Sequence, residues 1–377
     1  MDKVFIFGAG KQGRKLLQLL YKYEVAEVAA FIDNNVGLHG SLIEGKNCIS
    51  VDEAVKEGVQ NEVVIISTAY YKEIEQQLKS RSFRKVFSWS RLFPSPLYSV
   101  PDIWDSTDYK NVCPFNNYES PYPNIIEIHN REKELFDTGR FVLDVDFNIS
   151  RQIELLKEME RIKLPEWEKY AGGAYRYIYE NEWFRKGSAD ALCYMMQILK
   201  PNNIIEIGSG YSTAVMLDTN ERYFENRVKI VSIEPRADRL KSLLKPFDNL
   251  NIIESDLQKV SVEFFDTLQE NDILFVDSSH VSRIGSDVNY ILFEILPRLN
   301  KHVYIHFHDM FYPFSYPKEW IYEGRAYNEV YLVRAFLMNN NSYSIQLFGD
   351  MIWREQIEGI NEKLRNCGNG SLWIRKE

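Results

Sequence analysis

Ile204-Ile-Glu-Ile-Gly-Ser-Gly-Tyr-Ser-Thr213 is the stretch on which the reading of this chain turns. An apolar run ends in an acid, and two glycines around one serine lead into small hydroxyl side chains. This is the pattern of a buried strand meeting a tight turn that opens a helix. Glycines let the backbone approach a ligand closely, and free N–H groups at the start of a helix receive its polar end. A Gly-Ser-Gly also serves an ordinary strand-to-helix turn, so the residues downstream decide.

Helical spacing follows through Ala214-Val-Met-Leu217, and then the strand-like run Val228-Lys-Ile-Val-Ser-Ile233 ends in Glu234. Asn251-Ile-Ile-Glu254 leads to Ser255-Asp256, Asp272-Ile-Leu-Phe-Val276 ends in Asp277, and Val303-Tyr-Ile-His-Phe307 ends in His308-Asp309. Strands alternating with helical connections predict an α/β fold with a doubly wound parallel sheet, covered on both faces, whose ligands bind beyond the carboxyl ends of the strands. The acids stand at those ends. The run Ile345 to Trp353 reads as a closing strand and Gln356 to Glu377 as a peripheral tail.

A second glycine turn lies near the beginning. Val4-Phe5-Ile6-Phe7 leads into Gly8-Ala9-Gly10-Lys11-Gln12-Gly13, then a helical pattern, then the strand Val28 to Ile32 ending in Asp33. Strand, Gly-x-Gly-x-x-Gly turn, helix, strand and acid form the plan of a nucleotide-binding βαβ unit, with Gly8, Gly10 and Gly13 at the diphosphate and Asp33 at a ribose. Glu62 to Ser67 and Lys85 to Ser88 continue the sheet. The expected organisation is a Rossmann-like domain over 1–95, an irregular proline-rich linker over 96–145, and a second Rossmann-like domain over 146–377. Between them, Ser150 is a candidate cap for a helix from Ile149 to Met159, and the aromatic stretch Tyr170 to Phe184 offers Tyr175, Tyr177, Tyr179 or Asn181 to a ligand, or else staples helices together.

Composition narrows the function classes. The 377 residues carry a formal charge of -9, which argues against a nucleic-acid backbone binder. Cysteines at 48, 113, 193 and 367 are scattered without a Cys-x-x-Cys pair, suggesting neither zinc site nor disulfide framework and fitting a reducing compartment. No apolar run reaches the length of an integral membrane segment, and the first residues do not read as a signal peptide. The expectation is a cytoplasmic protein; a homo-oligomer is compatible with it.

Two resemblances add to this. Phe7-Gly-Ala-Gly-Lys-Gln-Gly13 and Phe31-Ile-Asp-Asn-Asn35 resemble the small Rossmann-like domains of bacterial surface-polysaccharide enzymes, including the nucleotide-sugar-binding part of sialic-acid-type and bacillosamine-type acetyltransferases. That resemblance implies a bound nucleotide or nucleotide sugar. The order of acids in the second domain resembles class I S-adenosylmethionine-dependent methyltransferases. Glu206-Ile-Gly-Ser-Gly210 looks like their first motif, Glu234 like the ribose-binding acid and Asp256 like the adenine-facing residue. Longer blocks, Asp272 to His280, Gly285 to Tyr290, His306 to Asp309 and Tyr316 to Trp320, resemble a bacterial methyltransferase family often associated with polysaccharide gene clusters. The resemblance implies S-adenosylmethionine over Gly208, Ser209, Gly210 and Ser212, with Glu206 near its amino group, Glu234 and Asp256 further along, and Asp277 beside the reacting end.

Methyl transfer to a hydroxyl requires alignment of donor and acceptor and removal of a proton. His308, then His280, are the preferred bases, with Asp277 beside them, because histidine titrates nearest neutrality. Alternatively, Asp277, His308 and Asp309 hold magnesium or another divalent metal that lowers the hydroxyl pKa. His306 and His308 also have a structural reading, one in the core and one hydrogen-bonded to Asp309. Tyr316 to Glu329 reads either as an acceptor wall or as a surface loop. The expected activity is O-methylation of a sugar or nucleotide sugar in surface polysaccharide biosynthesis, with a small-molecule or glycan acceptor. The rivals are a methyltransferase acting on an amine or small metabolite, an NAD(P)-dependent sugar oxidoreductase or epimerase, and a noncatalytic scaffold.

Overall fold

A computed structural model describes residues 3–22, 26–68, 70–88, 122–136, 142–170, 173–246, 248, 250–358 and 360–377. The chain divides into two compact units, residues 1–137 with 317–326, and residues 138–316 with 327–377.

The first unit is built on β1 (Lys3–Phe7), β2 (Glu27–Ile32), β3 (Leu42–Ile43), β4 (Lys46–Ile49), β5 (Val63–Ile66) and β6 (Lys85–Ser88), in the order β3-β4-β2-β1-β5-β6. All pairings are parallel except the short β3–β4 hairpin, two strands that the sequence reading did not anticipate. Val63 to Ile66 are buried on both faces, which is why the run is uniformly apolar rather than alternating. The first glycine turn is tight for a steric reason: a Cβ on Gly13 would sit 1.8 Å from the Gly8 carbonyl oxygen, whereas one on Gly10 would meet nothing within 4 Å. Asp33 ties this turn together, its carboxylate accepting the Ala9 N–H at 2.7 Å and the Asn35 N–H at 2.8 Å.

Of the expected linker, residues 96–121 and 137–141, including Cys113, lie outside the described residues. Ile125–Asn130 and Glu132–Leu135 are helical. Residues 317–326 pack in this first unit, where Lys318 Nζ lies 2.9 Å from Glu132 Oε1, the Tyr322 hydroxyl donates to Glu132 Oε2 at 2.7 Å, and the Tyr322 ring neighbours Phe87 and His129. Lys318 and Tyr322 thus have partners within this unit, in keeping with the surface-loop reading of that stretch.

The second unit holds β7 (Asn203–Ile207), β8 (Lys229–Ile233), β9 (Asn251–Ile253), β10 (Ile273–Val276), β11 (Tyr304–His308), β12 (Tyr343–Phe348) and β13 (Ser371–Lys376). Their order is β12-β13-β11-β10-β7-β8-β9, and only β13 is antiparallel to its neighbours. This is a doubly wound sheet, read outward from β7. Helices Lys186–Leu199 and Tyr211–Phe224 pack against one another. Buried Asp272 ties the starts of β7 and β10, accepting the Asn202 and Asn203 N–H groups at 2.9 and 2.8 Å.

Two readings are corrected here. The C-terminal residues are not a peripheral tail: β13 inserts between β11 and β12, with Trp373 and Ile374 fully buried. The helix Ile149–Met159 has Asn148, not Ser150, at its cap position, and no side chain caps its N-terminus. Gln152 docks it instead, accepting the Phe348 N–H of β12 at 2.8 Å.

Candidate active site

The turn after β7 is shaped by close backbone approach. Gly208 has φ +77°, and a Cβ there would lie 2.0 Å from the Asp277 carbonyl oxygen at the end of β10. Its N–H donates to the Ile233 carbonyl of β8 at 3.0 Å, and the Asp277 N–H donates to the Ile207 carbonyl at 2.8 Å. The turn is thus stitched to both neighbouring strands, and only glycine fits at 208.

Glu206 lies beneath it with no solvent exposure. Ser212 donates to its Oε1 at 2.6 Å, while Thr213 and Ser232 donate to Oε2 at 2.5 and 2.7 Å. Burial pushes the Glu206 carboxyl up to about 7, against the pull of those three hydroxyls. The sequence reading put Glu206 at a ligand's amino group; the structure encloses both its oxygens and makes it the pin that fixes the turn. Glu234 accepts the Ser209 N–H at 3.2 Å and the Arg236 N–H at 2.8 Å. Asp256 is exposed and pairs with Lys259 at 2.7 Å. The Ser209 hydroxyl is buried without a partner among the described residues, an unsatisfied group of the kind a bound ligand completes.

Beyond β10 and β11 stands a cluster of titratable groups. Asp277, His280 and Asp309 present ligand atoms all within 4.8 Å of one another. His280 Nε2 is 3.5 Å from Asp277 Oδ1 and 3.4 Å from Asp309 Oδ2, and its Nδ1 is 2.8 Å from Glu329 Oε2. Ligands held about 2.1 Å from one ion lie about 3.0 to 3.4 Å apart, and the two histidine–aspartate separations are close to that. Glu329 is itself buried and accepts from Ser278 Oγ at 2.8 Å. Burial alone would lower the His280 pKa, but hydrogen bonds to Asp277, Asp309 and Glu329 outweigh it and hold the imidazole well above its ordinary value. Both His280 and Asp309 have left-handed backbone, φ +60° and +57°. Such strain in non-glycine residues collects at functional sites.

His308 stands outside this group of three, its Nε2 3.5 Å from Asp309 Oδ1 and its Nδ1 buried without a partner among the described residues. The reason lies in the strand period. His306 and His308 are two apart, share one face, and have ring centroids 5.8 Å apart. His306 stacks on Phe275 at 4.1 Å and neighbours Trp373, while His308 packs on Phe184 at 5.1 Å. Burial and the neighbouring His308 keep His306 well below its ordinary pKa. Tyr177 and Asn181, offered to a ligand by the sequence, are spent internally: the Tyr177 hydroxyl and Asn181 Nδ2 both donate to the Phe184 carbonyl.

Glu329 was not singled out as a partner of His280. An acid in the first turn of the apolar helix Glu329–Leu337 reads as a response to the helix dipole, and no spacing signal links it to position 280.

Residues 205–310 match a family model described as a methyltransferase domain. The second unit carries a methyltransferase domain. Residues 1–86 match a model described as C2185-like, N-terminal. Over 170 residues the chain is 33% identical to an uncharacterized protein of Archaeoglobus fulgidus, spanning 43% of this chain and 76% of that protein; the chain belongs to the same family as that protein. Solved structures similar to it include the plantazolicin methyltransferase BpumL in complex with a substrate analogue and SAH, 15% identical over 50% of this chain and 83% of that one with a TM-score of 0.32. Another is a Klebsiella pneumoniae protein described provisionally as an O-methyltransferase, 13% identical over 67% and 96% of the two chains with a TM-score of 0.33. In the methyltransferase domain of this chain, the glycine turn and the histidine–carboxylate cluster meet at Asp277. Among the described residues no helix is long and apolar enough to cross a membrane.

Proposed function

We propose that the protein is an S-adenosylmethionine-dependent O-methyltransferase acting on a sugar hydroxyl, carried on a nucleotide or within a surface-glycan precursor. The observation that carries this reading is the junction at Asp277. Its backbone packs against Gly208, and its side chain joins His280 and Asp309, so a donor on the turn and an acceptor at the cluster are held side by side.

In this reading Gly208, Ser209 and Gly210 receive the methionine portion of the cofactor, Glu234 faces the ribose and Asp256 flanks the adenine. Glu206 and Ser212 hold the turn from beneath. The cofactor supplies a methyl group activated by its sulfonium. Asp277, His280 and Asp309 would hold a divalent cation, which would lower the pKa of an acceptor hydroxyl. Glu329 accepts from Nδ1–H and leaves the Nε2 lone pair facing the two aspartates, the arrangement that orients metal-binding histidines. That one lone pair can hold a cation or take a hydroxyl proton but not both, so with a cation bound His280 would be a ligand and not the base. His308 forms the wall beside Phe184.

The first unit is read as a nucleotide holder. Open space at Gly10 supports this, since a diphosphate needs close approach there. Calorimetric titration of the full chain with SAH, UDP-sugars and NAD(P), followed by transfer assays with labelled S-adenosylmethionine and a panel of nucleotide sugars, tests the assignment. SAH binding and label in a sugar are expected. NAD(P) binding with no SAH heat would replace this reading with the oxidoreductase one, and label in an amine would replace the acceptor class.

A further inference from the structure

We infer that Arg239, backed by Trp183, receives the carboxylate of the cofactor's methionine end and closes with Trp183 over the glycine turn. This rests on the methyltransferase reading above.

Arg239 lies in the short helix Asp238–Leu243 that follows β8. Its guanidinium stacks on the Trp183 ring, 3.8 Å from the centroid, yet Trp183 remains 59% exposed. The Arg239 side chain also covers the turn: its Cδ is 3.3 Å and its Nη1 3.9 Å from where a Cβ on Gly210 would sit. Arg239 has no carboxylate partner among the described residues. Arg176, by contrast, is shared by Asp218, Glu221 and Asp248. A cation held in place by an aromatic face beside a ligand-binding turn, with its charge unpaired, selects an anionic group.

The surrounding charges say which group that is. Glu234, Asp277 and Asp309 suit the ammonium and hydroxyls of the cofactor but repel its carboxylate. The adenine and ribose are neutral, so the methionine carboxylate is the group that needs a local cation, and Arg239 stands over the glycines assigned to that end. The backbone that carries Trp183 is tied in place. Asn181 Oδ1 accepts the Trp183 and Phe184 N–H groups at 3.0 and 2.7 Å, and the caged Arg176 anchors the start of the same segment.

The test compares two probes, SAH and its analogue lacking the carboxylate, by calorimetry on the full chain and its Arg239→Gln, Arg239→Lys, Trp183→Phe and Trp183→Ala variants. Loss of a charge-assisted contact is expected to weaken SAH by about 10-fold or more in Arg239→Gln. The decarboxylated analogue should change less than about 2-fold in that variant. Arg239→Lys should fall between wild type and Gln, and Trp183→Phe should bind SAH more tightly than Trp183→Ala. Unchanged SAH binding in Arg239→Gln, or an equal loss for both probes, overturns the inference while leaving the methyltransferase reading intact. Failure of wild-type protein to bind SAH removes that reading and this inference with it. Both side chains are exposed, and matched melting temperatures confirm that the variants are folded.

Discussion

Replacing Glu206 with Gln tests the physical account of the turn. The carboxyl has no exposure, and its folded-state pKa is about 7 against an ordinary value of 4.5. An acid whose pKa is raised by folding binds more protons folded than unfolded between those two values, so its stabilising contribution is present at low pH and is lost as pH rises. At about 1.4 kcal/mol per pH unit, the contribution lost between pH 4.5 and 7 is about 3 kcal/mol, with little further change above. Glu206→Gln cannot titrate. It keeps one acceptor oxygen for the Ser212, Thr213 and Ser232 hydroxyls and turns the other position into a donor, a cost of about 1 kcal/mol at low pH. Urea unfolding of both proteins, followed by tryptophan fluorescence from pH 4.5 to 8.5, should show the wild type losing stability relative to the variant by about 3 kcal/mol, with the wild-type advantage vanishing or reversing above pH 7. Parallel stability curves would refute the argument, because they would mean that Glu206 is ionised or hydrated equally in both states.

Three further outcomes are expected. Gly208→Ala should destabilise the second unit by about 3 kcal/mol in thermal unfolding, because a Cβ in left-handed backbone meets the Asp277 carbonyl. In the first unit, Gly13→Ala should lower stability, whereas Gly10→Ala should stay within about 0.5 kcal/mol of wild type, since only the former drives a Cβ into backbone. Asp309→Asn should abolish, and Glu329→Gln weaken by about 10-fold to 100-fold, the binding of manganese read by its paramagnetic resonance signal; activity and manganese binding indifferent to both would remove the cluster from the chemistry.

Legibility in the sequence followed the range of the interactions involved. That β7 to β11 are strands of a doubly wound parallel sheet was readable because each is a local apolar run followed by its own acid; their order β9-β8-β7-β10-β11 is a result of the packing. β13 was not, because Ser-Leu-Trp-Ile-Arg-Lys ends in two cations; its place inside the sheet comes from β11 and β12 on either side. The destination of residues 317–326 was hidden likewise, since Tyr322 finds its partners Phe87, His129 and Glu132 about two hundred positions away. At the candidate site, Asp277, His280 and Asp309 were all candidates from sequence. What was missing was the buried partner Glu329.

The sequence by itself determined that two glycine turns open two doubly wound α/β sheets and that acids gather at the strand ends, because strand period, glycine turns and chain order are local properties. The tertiary structure decided what those acids touch. It sealed Glu206 under the turn Ile204 to Thr213, placed His280 rather than His308 between Asp277 and Asp309, and set Arg239 on Trp183 beside Gly210. Burial and side-chain proximity arise only when strands distant in sequence become neighbours, and those two quantities separate a ligand-facing residue from a structural one.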